Sequence, residues 1–110
     1  MKLEVADLTG QVLDLNGLIG YQDGAVVSRT ILDKPVGTLT VFAFDRGQGL
    51  SEHTAPYDAT VQVIDGEATV TIAGQAHAVK AGEIVIMPAN KPHSLKATTR
   101  FKMLLIMIRA

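Results

Sequence analysis

The spacing of turn-forming pairs restricts this chain more than any other feature. Asn16-Gly17, Asp23-Gly24, Gly47-Gln48-Gly49, Asp65-Gly66, Ala73-Gly74, Ala81-Gly82 and Ala89-Asn90 punctuate the sequence, at intervals of about ten residues over much of its length. Glycine and asparagine tolerate the positive φ angles that let a chain reverse. Between these pairs stand short β-branched runs, Val26 to Leu32, Thr38 to Phe44, Thr60 to Ile64, Ala68 to Ile72, Ile84 to Met87 and Phe101 to Ile108. None is long enough, or periodic enough at 3.6 residues, for an amphipathic helix. The pattern therefore predicts an all-β chain, a barrel or sandwich with little or no helix. Within VQVIDGEATVTI, Asp65-Gly66 is expected to join two alternating strands in a tight hairpin.

Several of these strands are apolar on both faces, as in Phe42-Ala43-Phe44 and Leu104-Leu105-Ile106. In a small barrel one face fills the interior, so the other needs a cover. The expected cover is a second copy packed sheet on sheet as a homodimer, and the alternative, compatible with it, is the N-terminal segment 1–24 wrapped over the outer face. A length of 110 residues leaves room for a single domain spanning 1–110.

Charge excludes some partners. Ten basic residues against eleven acidic ones give a net charge of -1, and neither sign clusters, so no nucleic acid and no membrane surface is expected as a partner. Without cysteine there are no disulfides, thiolate metal ligands or cysteine nucleophiles. The opening MKLEVADLTG lacks the apolar core of a secretory signal, and the run from Met103 to Ile108 is far too short to cross a bilayer. A cytoplasmic location is the expectation.

Two histidines stand out by their setting, His53 in GQGLSEHTAPYDATVQVIDG and His93 in GEIVIMPANKPHSLKA. Here the chain resembles the cupin superfamily, whose first motif is G-x5-H-x-H-x3-E-x6-G and whose second is G-x5-P-x-G-x2-H-x3-N. Gly47, His53 and Gly66 match the first motif, while Ala55 occupies the second histidine's place and Ala59 the glutamate's. Gly82, Pro88 and His93 match the second, while Asn90 replaces its glycine and Ala97 its asparagine. Asparagine is the next most tolerant residue of a left-handed turn, so Asn90 leaves the backbone expectation intact. The resemblance covers residues 47–97 and implies a cupin-type jelly-roll β-barrel of the RmlC-like kind.

Cupin metals are usually held by three histidines and one glutamate. Two of those places here carry methyl groups, which leaves His53 and His93 as an incomplete shell for a divalent zinc, iron, manganese or nickel ion. Strand alternation points Ala59, Val61 and Val63 inward and Asp58, Thr60 and Gln62 away, although a break at Pro56 could turn Asp58 toward the ion. The leading functional expectation is a pocket for a small organic ligand around His53 and His93, with volume freed by Ala55 and Ala59 and further contacts from Tyr57 and Met103. The alternatives are a metal-dependent enzyme of isomerase, dioxygenase or decarboxylase type, and a structural dimer whose pocket has decayed. Two core histidines that merely satisfy each other's hydrogen bonds, and methionines that merely fill space, are the plainer readings of the same residues. His77 matches no ligand position and is expected on the surface, and Lys91 is expected as a solvated cation near the pocket entrance.

Overall fold

The structure, a computed structural model, describes residues 7–109, so the first six residues of the segment 1–24 lie outside the described residues. Eight strands carry the chain: β1 (Val26–Lys34), β2 (Gly37–Phe44), β3 (Gly49–His53), β4 (Ala59–Ile72), β5 (Gln75–Lys80), β6 (Ile84–Met87), β7 (His93–Lys96) and β8 (Phe101–Ile108). A single 3-10 turn at Asn16–Leu18 is the one helical element among the described residues. Every strand pairing is antiparallel, in the order β1-β2-β8-β4-β7-β3, with β5 and β6 also paired to β4. The result is the all-β chain that the turn spacing predicts, in the jelly-roll barrel form that the resemblance implies.

The expected hairpin at Asp65-Gly66 does not form. β4 runs straight through both residues, and the pairing with β8 slips between Val63 and Asp65. Gly66 has the positive φ expected of it, 74°, but stays in register with Phe101 just after the bulge at Ile64. A side chain there would collide with the Arg100 carbonyl, so glycine is required by close approach as well as by φ. The bulge bends β4 and divides its work. Residues before it pair with β6 and β8, and Glu67–Ile72 pair with β5 and β7. The tight hairpin lies one turn signal later, at Ala73-Gly74, where both φ angles are positive, 50° and 83°, and Ile72 faces Gln75.

Alternation sorts the side chains into two layers. Inside lie Phe44, Val61, Val63, Val70, Phe101 and Met103, all fully buried. The Phe44 and Phe101 rings stack with centroids 4.4 Å apart. Outside, Val41, Ala43 and Leu104 are buried by Ile19, with Leu15, Leu18 and Tyr21 packed alongside. Two-sided burial of β2 and β8 therefore comes at least partly from the chain's own preceding residues. Polar ties hold that strap down: the Tyr21 hydroxyl donates to Asp65 Oδ2 at 2.6 Å, and Lys102 Nζ donates to the carbonyl and side-chain oxygens of Asn16 at 2.8 and 2.9 Å.

Candidate functional site

His53 ends β3 and His93 begins β7, and the two are direct partners across that strand pair. Asn90, with φ 64°, turns the chain into the Lys91-Pro92 approach to His93. The Nε2 atoms of the two rings lie 3.1 Å apart, with ring planes inclined by 73°. His93 is buried at 3% exposure, whereas His53 is exposed. The pair thus spans the boundary between the interior and solvent.

The other ring nitrogens have partners of their own. His53 Nδ1 lies 2.8 Å from the Ser51 carbonyl oxygen, and His93 Nδ1 lies 3.3 Å from that of Lys91. A carbonyl oxygen only accepts, so each Nδ1 donates to it in the tautomer that carries the proton there. The Nε2 atoms are within hydrogen-bond distance of each other, so a proton on either one is shared with the facing ring. Burial, and next the charge of His53, hold the His93 pKa below the usual histidine value, against an opposing contribution from the Lys91 carbonyl.

Behind the rings is a cavity of about 40 Å³, room for little more than a water or two. Met87, Met103 and Met107 line it together with Ala59 and leucines 50, 95 and 105. Ala59 and Met103 thus reach the space expected of them, but Ala55 and Tyr57 are not part of its lining. The reason is the loop after β3. The Ala55 carbonyl accepts from the Asn90 N–H at 2.8 Å and Asp58 Oδ1 accepts from the Ala89 N–H at 2.8 Å, which binds the 54–58 loop to the 88–92 loop beside the cavity. Asp58 is thereby engaged by backbone and does not complete a metal shell.

Among the described residues no group of three or more His, Cys, Asp and Glu side chains is placed to hold a metal. The methyl of Ala59 leaves no carboxylate inside, and sulfur takes the volume: Met87 and Met107 are its two cross-strand neighbours. Met87 escaped the sequence reading, although the alternation of β6, with Ile84 and Ile86 out and Met87 in, was the signal for it. His77 is half-buried rather than on the surface, on the same face of β5 as buried Val79, and it does not line the cavity. Lys91 contributes its carbonyl, not its ammonium. In a larger open depression of about 700 Å³ beside Tyr21, Asp45, Asp65 and Arg100, Arg100 pairs with Asp45 and Asp65 accepts from the Tyr21 hydroxyl.

The fit of a metal ion can be judged from the donors. Two nitrogens each about 2.0–2.1 Å from one ion stand about 2.9–3.4 Å apart for bond angles from right-angled to tetrahedral. The observed 3.1 Å falls within that range. Protonated Nδ1 atoms resting on carbonyls are the outer-shell arrangement that orients imidazole ligands. The pair fits an ion; the remaining positions of a four-ligand carboxylate-bearing shell are missing.

An eight-stranded antiparallel jelly roll with a histidine pair at one end of its hollow defines a small barrel protein of the cupin type. The chain belongs to the Cupin domain family, whose model matches residues 40–109. It is similar to a conserved protein of unknown function from Streptococcus pyogenes, at 32% identity and TM-score 0.89 over 99% of this chain and 96% of that one. It is also similar to a Cupin 2 conserved barrel domain protein from Leptotrichia buccalis, at 40% identity and TM-score 0.85 over 87% of this chain and 47% of that one. A cupin superfamily protein from Desulfitobacterium hafniense is 26% identical with TM-score 0.88, over 98% of this chain and 100% of that one. No curated protein matches the sequence. Among the described residues no helix is long and apolar enough to cross a membrane.

Proposed function

We propose that this chain is a metal-binding cupin in which His53 and His93 hold one transition-metal ion and present it to a ligand of few atoms. The observation that carries this reading is the convergence of the two Nε2 atoms, 3.1 Å apart, with each Nδ1 resting against a carbonyl oxygen. A bound ion would supply a Lewis-acidic centre with open positions. Imidazole donors suit zinc, copper, iron and nickel, and the lack of a carboxylate disfavours manganese. The small cavity argues against a sizeable organic molecule lodged inside the barrel and favours one that meets the ion from the exposed His53 side. None of the residues lining the cavity carries a carboxylate or hydroxyl, so the reading stops at binding and assigns no isomerase, dioxygenase or decarboxylase step. The test is metal analysis of untagged protein, followed by melting with and without added zinc or nickel ion. Stabilisation that disappears in both His53→Ala and His93→Ala supports the reading; equal stabilisation of the variants overturns it.

A homodimer has narrower support. The strap described above covers part of β2 and β8, and away from it Ile84 and Ile86 of β6 stand at 59% and 56% exposure as neighbouring apolar side chains. We propose that two copies associate through this outer face of β6. Sedimentation of an Ile84→Lys, Ile86→Lys double variant tests it: wild-type dimer and variant monomer are expected, and a wild-type monomer removes the proposal.

A further inference from the structure

Donor chemistry at the histidine pair points to one kind of ion. The cavity offers two imidazole nitrogens and three thioether sulfurs, and neither a carboxylate nor a hydroxyl shares the space. Met87 and Met107 flank Ala59 as its cross-strand partners on β6 and β8 and line the same cavity, so two methionines bracket the position where a carboxylate would otherwise stand. Met87 is 2% exposed and Met103 fully buried, which makes the far wall dry as well as soft.

Hard divalent ions lose most in such a place. They prefer oxygen donors and shed their water at high cost, and here nothing anionic would offset two positive charges in an apolar hollow. A monovalent soft ion has the opposite preferences. Cuprous copper binds thioether and imidazole, accepts low coordination numbers and brings a single charge to desolvate. From these donors we infer that the site is selective for copper(I), held by His53 and His93 and completed by the thioethers of Met87 and Met107.

This inference rests on the metal-binding reading above and adds the ion's identity and the sulfur ligands. It involves no change of oxidation state: the ion enters and remains as copper(I). Filling the sulfur positions with Leu keeps side-chain volume and removes the donor, so the variants are mild for the fold.

The experiment titrates metal-free protein with copper(I) under anaerobic, reducing conditions against a chromophoric copper(I) chelator, and separately with zinc(II) against a zinc indicator. A Met87→Leu, Met107→Leu double variant should lose at least tenfold in copper(I) affinity while its zinc(II) affinity changes by less than twofold. X-ray absorption of the copper-loaded wild type should show sulfur in the first shell. Unchanged copper(I) affinity in the double variant, or a shell of nitrogen and oxygen alone, overturns the sulfur assignment. Copper(I) and zinc(II) binding that both survive in His53→Ala and His93→Ala would instead remove the metal-binding reading beneath it.

Discussion

His53 and His93 face each other across β3 and β7 with both Nδ1 atoms committed to carbonyl oxygens and both Nε2 atoms 3.1 Å apart. Forty residues separate them in sequence, and what joins them is the register of one short strand pair. The carbonyl contacts of Nδ1 hold both rings with Nε2 turned toward the partner ring, and that convergence is the physical basis of the metal-binding reading.

It also sets a pH dependence. The His93 pKa is lowered in the folded chain by burial and by the facing ring, while the unfolded chain titrates near the ordinary histidine value of about 6.5. Between the two values the unfolded state binds more protons, so stability rises with pH through that window and is flat above it. Acidification from neutrality should therefore weaken the fold, with a slope from this group of at most about 1.4 kcal/mol per pH unit. Urea unfolding of metal-free protein between pH 5 and 8, compared with His93→Gln, measures it. An identical slope in the variant would assign the dependence to other groups.

Gly66 should tolerate no side chain. Its φ of 74° is unfavourable for an L-residue, and an added Cβ meets the Arg100 carbonyl, which is backbone and cannot swing aside. Gly66→Ala is expected to destabilise by about 2–4 kcal/mol. A loss below about 0.5 kcal/mol in denaturant titration would show that β4 can straighten without cost.

What the sequence disclosed and what it concealed divide along physical lines. Alternation in β2, β4 and β8 is a local signal, and it placed Val61, Val63 and Met103 inside without coordinates. Asp65-Gly66 misled because a glycine at positive φ fits a turn and a continuous strand beside a bulge alike, and the choice depends on whether β8 is there to pair through it. The two histidines were legible from motif spacing. The Nδ1 contacts that orient the rings were not, since Ser51 and Lys91 offer their carbonyls only once the loops are folded. Nor was the cavity's size, because methionine side chains from β6 and β8 occupy space that the alanines appeared to free.

Asp45 is the acid most perturbed by a surface partner. Hydrogen bonds from Arg100, and then from the backbone of Gly24 and Arg46, hold its pKa at about 2, and Arg100 Nε lies 2.7 Å from its Oδ1. A depressed carboxylate pKa contributes stability that is complete above the unfolded value of about 3.9 and is lost as pH falls through the folded one. Replacing Arg100 with Ala should return Asp45 part of the way toward the ordinary carboxylate range and narrow that acid window. Carboxyl-carbon NMR titration of both proteins reads the shift directly; an unmoved titration would mean that the backbone donors suffice.

The hairpin at Ala73-Gly74 offers a stabilising change. Ala73 sits at φ 50° and Gly74 at 83°, the mirror-image pair of turn conformations that matches strand twist in a two-residue loop. Glycine accepts this freely, but for alanine the Cβ crowds the following carbonyl at a cost of about 1 kcal/mol. Asparagine visits the same region more readily, because its side chain hydrogen-bonds locally. Ala73→Asn should therefore raise stability by about 0.5–1 kcal/mol, whereas Ala73→Val, with a branched Cβ, should lower it. The Ala73 N–H donates to the Pro92 carbonyl at 2.8 Å, one residue before His93, and all three side chains retain that backbone donor. Metal affinity at the histidines should therefore be unchanged while melting temperatures order Asn above Ala above Val; a reversed order would mean that the turn does not hold these angles.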